Sequence, residues 1–304
     1  NYLEAIRWTD KLEFDVVPSR LESFAGHTTV TKNAKWRKIS DYKCFSEFSK
    51  NEIRQLDDHV RIVPKAHSNK SFGRFLPVTK EFAWFLGWFI AEGTLSKNQV
   101  SLNIGSKDLA FVDELTESIR AVFGETPRLF QKGHSIKLYF QSVLASKLLK
   151  SLGVAARAHK KRLPDLAFNL SEELQLVLLE GYFLGDGTLS GNRVSMTTNS
   201  ADLKDGILYL LGQLGLFGSV SDLPAGSNDF IQTKHDYFTI NIGGKSQLEK
   251  SRAVWKRHAN AARADSHIAK PARKSSDLIE ISEDLIALRV LETKSVPNDG
   301  EYVY

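Results

Sequence analysis

The sequence predicts an α+β fold built from two copies of one unit, and three observations carry that expectation. One word is written twice, "WFLGWFIAEGTLS" at 84–96 and "LLEGYFLGDGTLS" at 178–190. The copies keep a constant offset of 94 positions, from Glu92 to Asp186 and on through Val100 to Val194, Asp108 to Asp202 and Gly124 to Gly218. Within each copy, near-continuous apolar runs give way to strict apolar–polar alternation, the marks of buried helices and half-buried strands. A unit of about a hundred residues is too long for a solenoid repeat, so two copies about a pseudo-twofold axis are its natural product.

Composition narrows the function classes. The 304 residues are 42% hydrophobic, enough to bury a full core, and the net charge of +5 leans toward an anionic partner. Cys44 stands alone, which excludes a disulfide framework or a cysteine metal site within one chain. The eight histidines fall without metal-ligand spacing. No apolar run reaches the ~18 residues of a membrane span, and "NYLEAIRWTD" does not read as a signal peptide. The expectation is a cytoplasmic or nucleoid-associated monomer with no membrane contact.

Taken in order, residues 1–75 form an N-terminal extension. Its stretch "TTVTKNAKWRKISDYKCF" (28–45) is basic with interleaved aromatics. It reads equally as an extension of a DNA footprint and as a surface module with a few core aromatics.

Each repeat opens on an apolar helix, "VTKEFAWFLGWFIAEG" and "SEELQLVLLEGYFLGDG", the second with Ser171, Glu172 and Glu173 suited to a capped start. Small residues at i and i+4, Gly87 with Ala91 and Gly181 with Gly185, share one face and permit close backbone approach. If the helices pair through those faces, their C-terminal ends converge, and those ends carry Glu92 and Asp186. A carboxylate is disfavoured at the negative end of a helix dipole, and two such ends together add repulsion. A divalent cation resolves the conflict, since Mg²⁺ (or Mn²⁺) takes a few carboxylates and keeps waters. Glu92 and Asp186 are therefore the candidate metal ligands. Two solvated acids at helix ends are the plain alternative, and the repetition weighs against it.

The strands follow. In "NQVSLNI" the apolar set opposes Gln99, Ser101 and Asn103, and in "SIKLYFQ" it opposes Lys137 and Tyr139. The second copy sets Arg193, Ser195 and Thr197 against its apolar positions, and later Tyr237, Thr239 and Asn241. Alternation alone fits an ordinary solvated sheet face as well as a DNA-reading one. The flanking basic runs favour the second, "RAHKKRLP" with Lys160 and Arg162, and "KRHANAARADSHIAKPARK" at 256–274. Helical segments separate the strand pairs.

The paired motifs resemble those of the LAGLIDADG homing endonucleases: "FLGWFIAEG" (85–93) and "LEGYFLGDG" (179–187) align with the acid eighth of nine. Their spacing resembles the single-chain, two-motif members embedded in inteins. "KKRLP" ahead of the second motif is similar to the pattern in which a lysine precedes an apolar-Pro pair, which implies a catalytic role for Lys161. The tail "VPNDGEYVY" resembles an intein's return strand. "WTDKLEFDVVPSR" (8–20) resembles, more loosely, the stretch that leaves the splicing domain.

The resemblance implies two αββαββα halves, at 76–168 and 169–280, whose sheets form a saddle over DNA, followed by a tail at 281–304. It implies metal-dependent hydrolysis of one phosphodiester in each strand of a long, asymmetric double-stranded DNA site, with Glu92, Asp186 and Lys161 catalytic. Glu92 stands where the family often has Asp, and Lys256, Arg263 and Lys270 all lie in the window for a second lysine. An RNA-binding maturase and a catalytically silent DNA-binding regulator are the alternatives on the same fold.

Overall fold

The computed structural model describes residues 71–154, 157–226 and 236–271 continuously. Outside them it describes short segments at 2–4, 14–17, 43–44, 48–49, 51–52, 55, 60–64, 278–282, 286–288, 290 and 292–293. The tail at 296–304 and most of the basic stretch 28–45 lie outside the described residues.

The N-terminal extension contributes strands. β1 (Tyr2–Glu4) pairs antiparallel with β6 (Phe75–Pro77). β2 (Phe14–Val17), β3 (Lys43–Cys44), β4 (Arg61–Pro64) and β5 (Phe72–Gly73) form an antiparallel sheet in the order β3-β2-β4-β5. Its inner residues join the main core: Ile62 is fully buried and Phe72 stacks on Phe123 with centroids 6.2 Å apart.

Each half then runs αββαββα. The first comprises α1 (Lys80–Glu92), β7 (Gly93–Ser96), β8 (Gln99–Ile104), α2 (Val112–Phe123), β9 (Arg128–Lys132), β10 (Ser135–Gln141) and α3 (Val143–Ser151). The second comprises α4 (Glu172–Asp186), β11 (Gly187–Ser190), β12 (Arg193–Thr198), α5 (Ala201–Gln213), β13 (Ser219–Leu223), β14 (Tyr237–Gly243) and α6 (Lys245–Lys250), with α7 (Arg252–Trp255) and α8 (Ala261–Ile268) following. The sheets repeat one antiparallel topology, β7-β8-β10-β9 and β11-β12-β14-β13. This is the duplicated α+β architecture the repeat predicts. A hairpin of β15 (Leu278–Glu280) and β16 (Ile286–Leu288) lies beyond.

The central pair is α1 against α4. A Cβ on Gly87 would lie 2.1 Å from the Leu178 carbonyl oxygen, and one on Gly181 2.3 Å from that of Trp84. Both distances are far inside van der Waals contact with backbone, so only glycine allows this approach. Thr79 Oγ1 caps α1 by accepting from the Phe82 amide at 3.3 Å. Ser171 differs from expectation: its side chain makes no capping bond, and its carbonyl instead accepts from Gln175 N. Lys80 pairs with Glu173 across the two helix starts at 2.5 Å.

Strand alternation holds where it was read. Val100, Leu102 and Ile104, with Val194, Met196, Ile240 and Ile242, are buried beneath the sheets against the helices. Their polar neighbours take the opposite face.

Candidate active site and nucleic-acid interface

Both motif helices stop for the same reason. Gly93 and Gly187 leave the helix in extended conformation, their N–H groups donating to Phe89 O and Phe183 O. A Cβ on either would strike the ring of that phenylalanine, at 2.4 Å for Gly93 and 2.1 Å for Gly187. The acid before each glycine is thereby fixed on the last turn. At the foot of the pair, Gly185 lies against Ala91 and the Glu92 side chain, so the two carboxyl-bearing ends are neighbours.

The electrostatics match that convergence. Burial, then the negative charge of Asp186, push the Glu92 carboxyl up to about 7, with Lys161 pulling the other way. Asp186 keeps a solvent-facing side, yet the protein mass around it raises its carboxyl too, opposed by Lys161 and Lys107. Burial raises both carboxyls, and Lys161 and Lys107 oppose the rise at each.

Lys161 is buried, 9% exposed, and its Nζ donates to Ile90 O and Ala91 O, each at 2.6 Å. These are carbonyls of the last turn of α1, where helical partners run out. Burial lowers the Lys161 ammonium from its usual range, and Asp186 and Glu92 oppose that fall. The lysine singled out beside the motif thus stands among the acids, held by the helix end itself.

No equivalent comes from the expected second window. Lys256, Arg263 and Lys270 are exposed, and Lys256 acts on Glu180 rather than on the motif acids. The second cation facing both acids is Lys107, on the 3-10 turn Ser106–Phe111, which bears on Glu92, on Asp186 and on His258. Its counterpart 94 positions on is Ala201, so the repeat carried no signal for it.

Among the described residues no group of three or more His, Cys, Asp or Glu side chains forms a ready-made metal cage. The two carboxylates still fit a hard divalent cation that draws its remaining oxygens from phosphate and water, the usual mode for Mg²⁺.

The sheet faces bring the polar residues into register. Lys137 stands opposite Asn103, Tyr139 opposite Ser101, Ser195 opposite Asn241, and Thr197 opposite Thr239. Ser101 and Asn241 are buried, at 4% and 7% exposure, and are engaged by neighbours. Gln99, Asn103, Lys137, Tyr139, Arg193, Ser195, Thr197, Tyr237 and Thr239 are partly or fully open. Lys160 is exposed on the linker between the halves, and Arg162 lies over Gly153. Sequence reading expected a second strand pair in each half but did not locate β9, whose Phe130 is 57% exposed beside Lys137, or β13.

The second basic run departs from expectation at Arg257. It turns inward, donating from both terminal nitrogens to Glu114 of α2 while stacking over Trp84 at 5.3 Å and Phe111 at 5.2 Å. Glu180, buried in α4, is 3.8 Å away. Arg252 pairs with Asp265 in the same run.

Residues 173–253 match the family model described as LAGLIDADG-like domain. Over those residues the chain carries a LAGLIDADG-like domain. The match spans α4 to α7, and the constant offset extends the same pattern to the first half. Among curated proteins, the DNA-directed RNA polymerase subunit Rpo1C of Methanocaldococcus jannaschii is 31% identical over 166 residues, 52% of this chain and 18% of that protein. A DNA polymerase of Thermococcus sp. (strain GE8) is 29% identical over 177 residues, 55% of this chain and 10% of the polymerase. The chain spans less than a fifth of the length of either. Among solved structures, I-DmoI in complex with DNA and Ca is similar with a TM-score of 0.46 and 12% identity, covering 62% of this chain and 98% of that one.

Proposed function

We propose that this LAGLIDADG-like chain is a site-specific, homing-type DNA endonuclease that binds a long asymmetric duplex as a monomer. It hydrolyses one phosphodiester in each strand. The observation that carries this reading is the convergence of Glu92 and Asp186 at the foot of a glycine-packed helix pair, both carboxyls raised, between two sheets that face polar side chains outward.

When bound, a divalent cation such as Mg²⁺ supplies Lewis-acid polarisation of the scissile phosphate and a more acidic attacking water. Glu92 and Asp186 would each hold such a cation for one strand, each oriented by the glycine that ends its helix. Lys161 fixes the end of α1 and keeps an ammonium beside both carboxylates, where it offsets charge developing on phosphate. Lys107 provides the second positive charge at the same place. The outward residues of the sheets, together with Lys160 and Arg162, bear on the duplex.

The setting of this chain supports an intein origin. One relative is a subunit of a DNA-directed RNA polymerase and the other a DNA polymerase, and each resembles this chain over less than a fifth of its own length. A segment shared by unrelated hosts reads as an inserted element, which is what a homing nuclease spreads.

The test is cleavage of a randomised duplex library with Mg²⁺, run beside the Glu92→Gln, Asp186→Asn double variant. Cut ends at one recurring long sequence, from wild type alone, are expected. Enriched binding with no cut ends from either protein would overturn the nuclease reading in favour of a regulator or maturase.

A further inference from the structure

The two sheet faces differ in how much of their hydrogen-bonding capacity is already used. On the second face, Ser195 Oγ donates to Asn241 Oδ1 at 2.8 Å, and Asn241 Nδ2 donates to the Thr239 carbonyl at 3.2 Å and to Ser221 Oγ at 3.4 Å. Thr197 and Thr239 share a bond at 3.3 Å, and Ser219 Oγ donates to Asn241 O at 3.5 Å. Only its two ends, Arg193 and Tyr237, carry long side chains without such a bond among the described residues.

The first face ties one such pair, Thr94 with Ser101 at 2.8 Å, and is otherwise unlike it. Gln99, Asn103, Lys137 and Tyr139 line one open depression of about 480 Å³ with Phe130 and Ser135. Among the described residues, the side chains of those four form no hydrogen bond or ion pair within the protein. Register sets Lys137 between Asn103 on one side and Phe130 on the other.

Reading a base edge requires donors and acceptors that are not already spent, because a group bound within the protein must first break that bond. Amide and ammonium side chains that stand free supply such groups. An exposed phenyl ring beside them meets thymine methyls or an unstacked base. Hydroxyls tied to one another present a pre-formed but unselective surface suited to backbone contact.

We propose that sequence discrimination is concentrated in the first half. Asn103 and Lys137 are its central specificity-determining residues, and the second half serves chiefly as an anchor. The inference rests on the reading that these sheets face duplex DNA, and it extends that reading by assigning unequal roles to them.

The experiment measures binding, not cutting. The full chain is incubated with a randomised duplex library in Ca²⁺, and bound sequences are read for wild type, for Asn103→Ala with Lys137→Ala, and for Thr197→Ala with Thr239→Ala. Positions whose preference shifts with the first pair define the first half-site. The expected result is a fall in base preference there of about 5- to 150-fold per contacted base pair. The second pair should change preference by less than about threefold while weakening binding evenly. Near-ultraviolet circular dichroism, unchanged in both variants, shows that these surface substitutions leave the fold intact. Equal preference in the two half-sites, or a larger loss from the threonine pair, would overturn the proposal and leave the nuclease reading standing. First-half-weighted binding without cleavage would do the reverse. No selective binding to any duplex would remove both.

Discussion

The two halves answer the same sequence pattern with different details, and the line between what is shared and what is not follows the symmetry axis. On the axis, they are near copies. A Cβ added to Gly87 or Gly181 would meet backbone at 2.1 or 2.3 Å, and each motif glycine sits against a phenylalanine four residues back. Off the axis they part. The end of α1 is held by Lys161, while no lysine or arginine of the 256–270 window meets the acids. One sheet leaves its amides free, and the other ties its hydroxyls together. Duplication has preserved what close packing demands and released the rest.

The largest expected effect breaks the shared part. Gly87→Val and Gly181→Val each force a side chain into backbone, and each should cost more than about 3 kcal/mol in equilibrium denaturation. Equal costs confirm that the axis is symmetric; a mild result for either would show that the helices pair elsewhere.

Next comes the division between the acids. Glu92→Gln and Asp186→Asn should each slow hydrolysis of a different strand by about 100-fold or more, so each single variant accumulates nicked product on strand-labelled DNA. Loss of both strands together from either substitution would point to one shared centre.

Smaller still is the lysine asymmetry. Lys161→Met removes two bonds to a helix end and should cost about 1.5–3 kcal/mol, the usual worth of bonds to a charged group. Lys256→Met should stay within about 0.5 kcal/mol. Parity between them in urea denaturation would erase the contrast.

The smallest effect is in pH. Glu92 is raised above the ordinary carboxylate value to about 7 in the folded protein. The folded state therefore holds a proton that the unfolded chain has released, and metal-free protein loses stability as pH climbs from about 4.5 through 7. Glu92→Gln should raise the melting temperature at pH 8 by about 2–4 °C, roughly 1 kcal/mol after solvent screening, and change little at pH 4. A divalent cation should remove the difference at pH 8.

Much of this was legible from the chain because it rests on local rules. Small residues four apart on one helix face announced the pairing, and strict alternation announced β8, β10, β12 and β14. The rest lacked a local mark. β9 is an edge strand whose Leu129 and Phe130 are 56% and 57% exposed, so neither face reads as buried and alternation vanishes. Lys107 has no counterpart in the second copy, and a search by repetition passes over it. Arg257 meets an acid 143 positions away, a pairing that a basic run alone does not reveal. The capping of α4 went through a carbonyl, which every residue carries, instead of the serine hydroxyl that the sequence advertised.

Lys161 joins the halves in a way that bears on how such chains exchange parts. Its ammonium holds the first half by two carbonyls, while its own carbonyl accepts from Ser200 Oγ of the second half at 2.6 Å. A crossover placed within the linker between Arg157 and Lys161 would keep this residue with Ser200 and set its ammonium against the backbone carbonyls of a foreign first half. Chimeras whose crossover falls between Lys161 and Ser200, so that the Lys161 carbonyl meets a foreign residue at position 200, should assemble poorly, and those that carry Ser200 along with it should not. The join, more than either sheet, sets where one half can be traded for another.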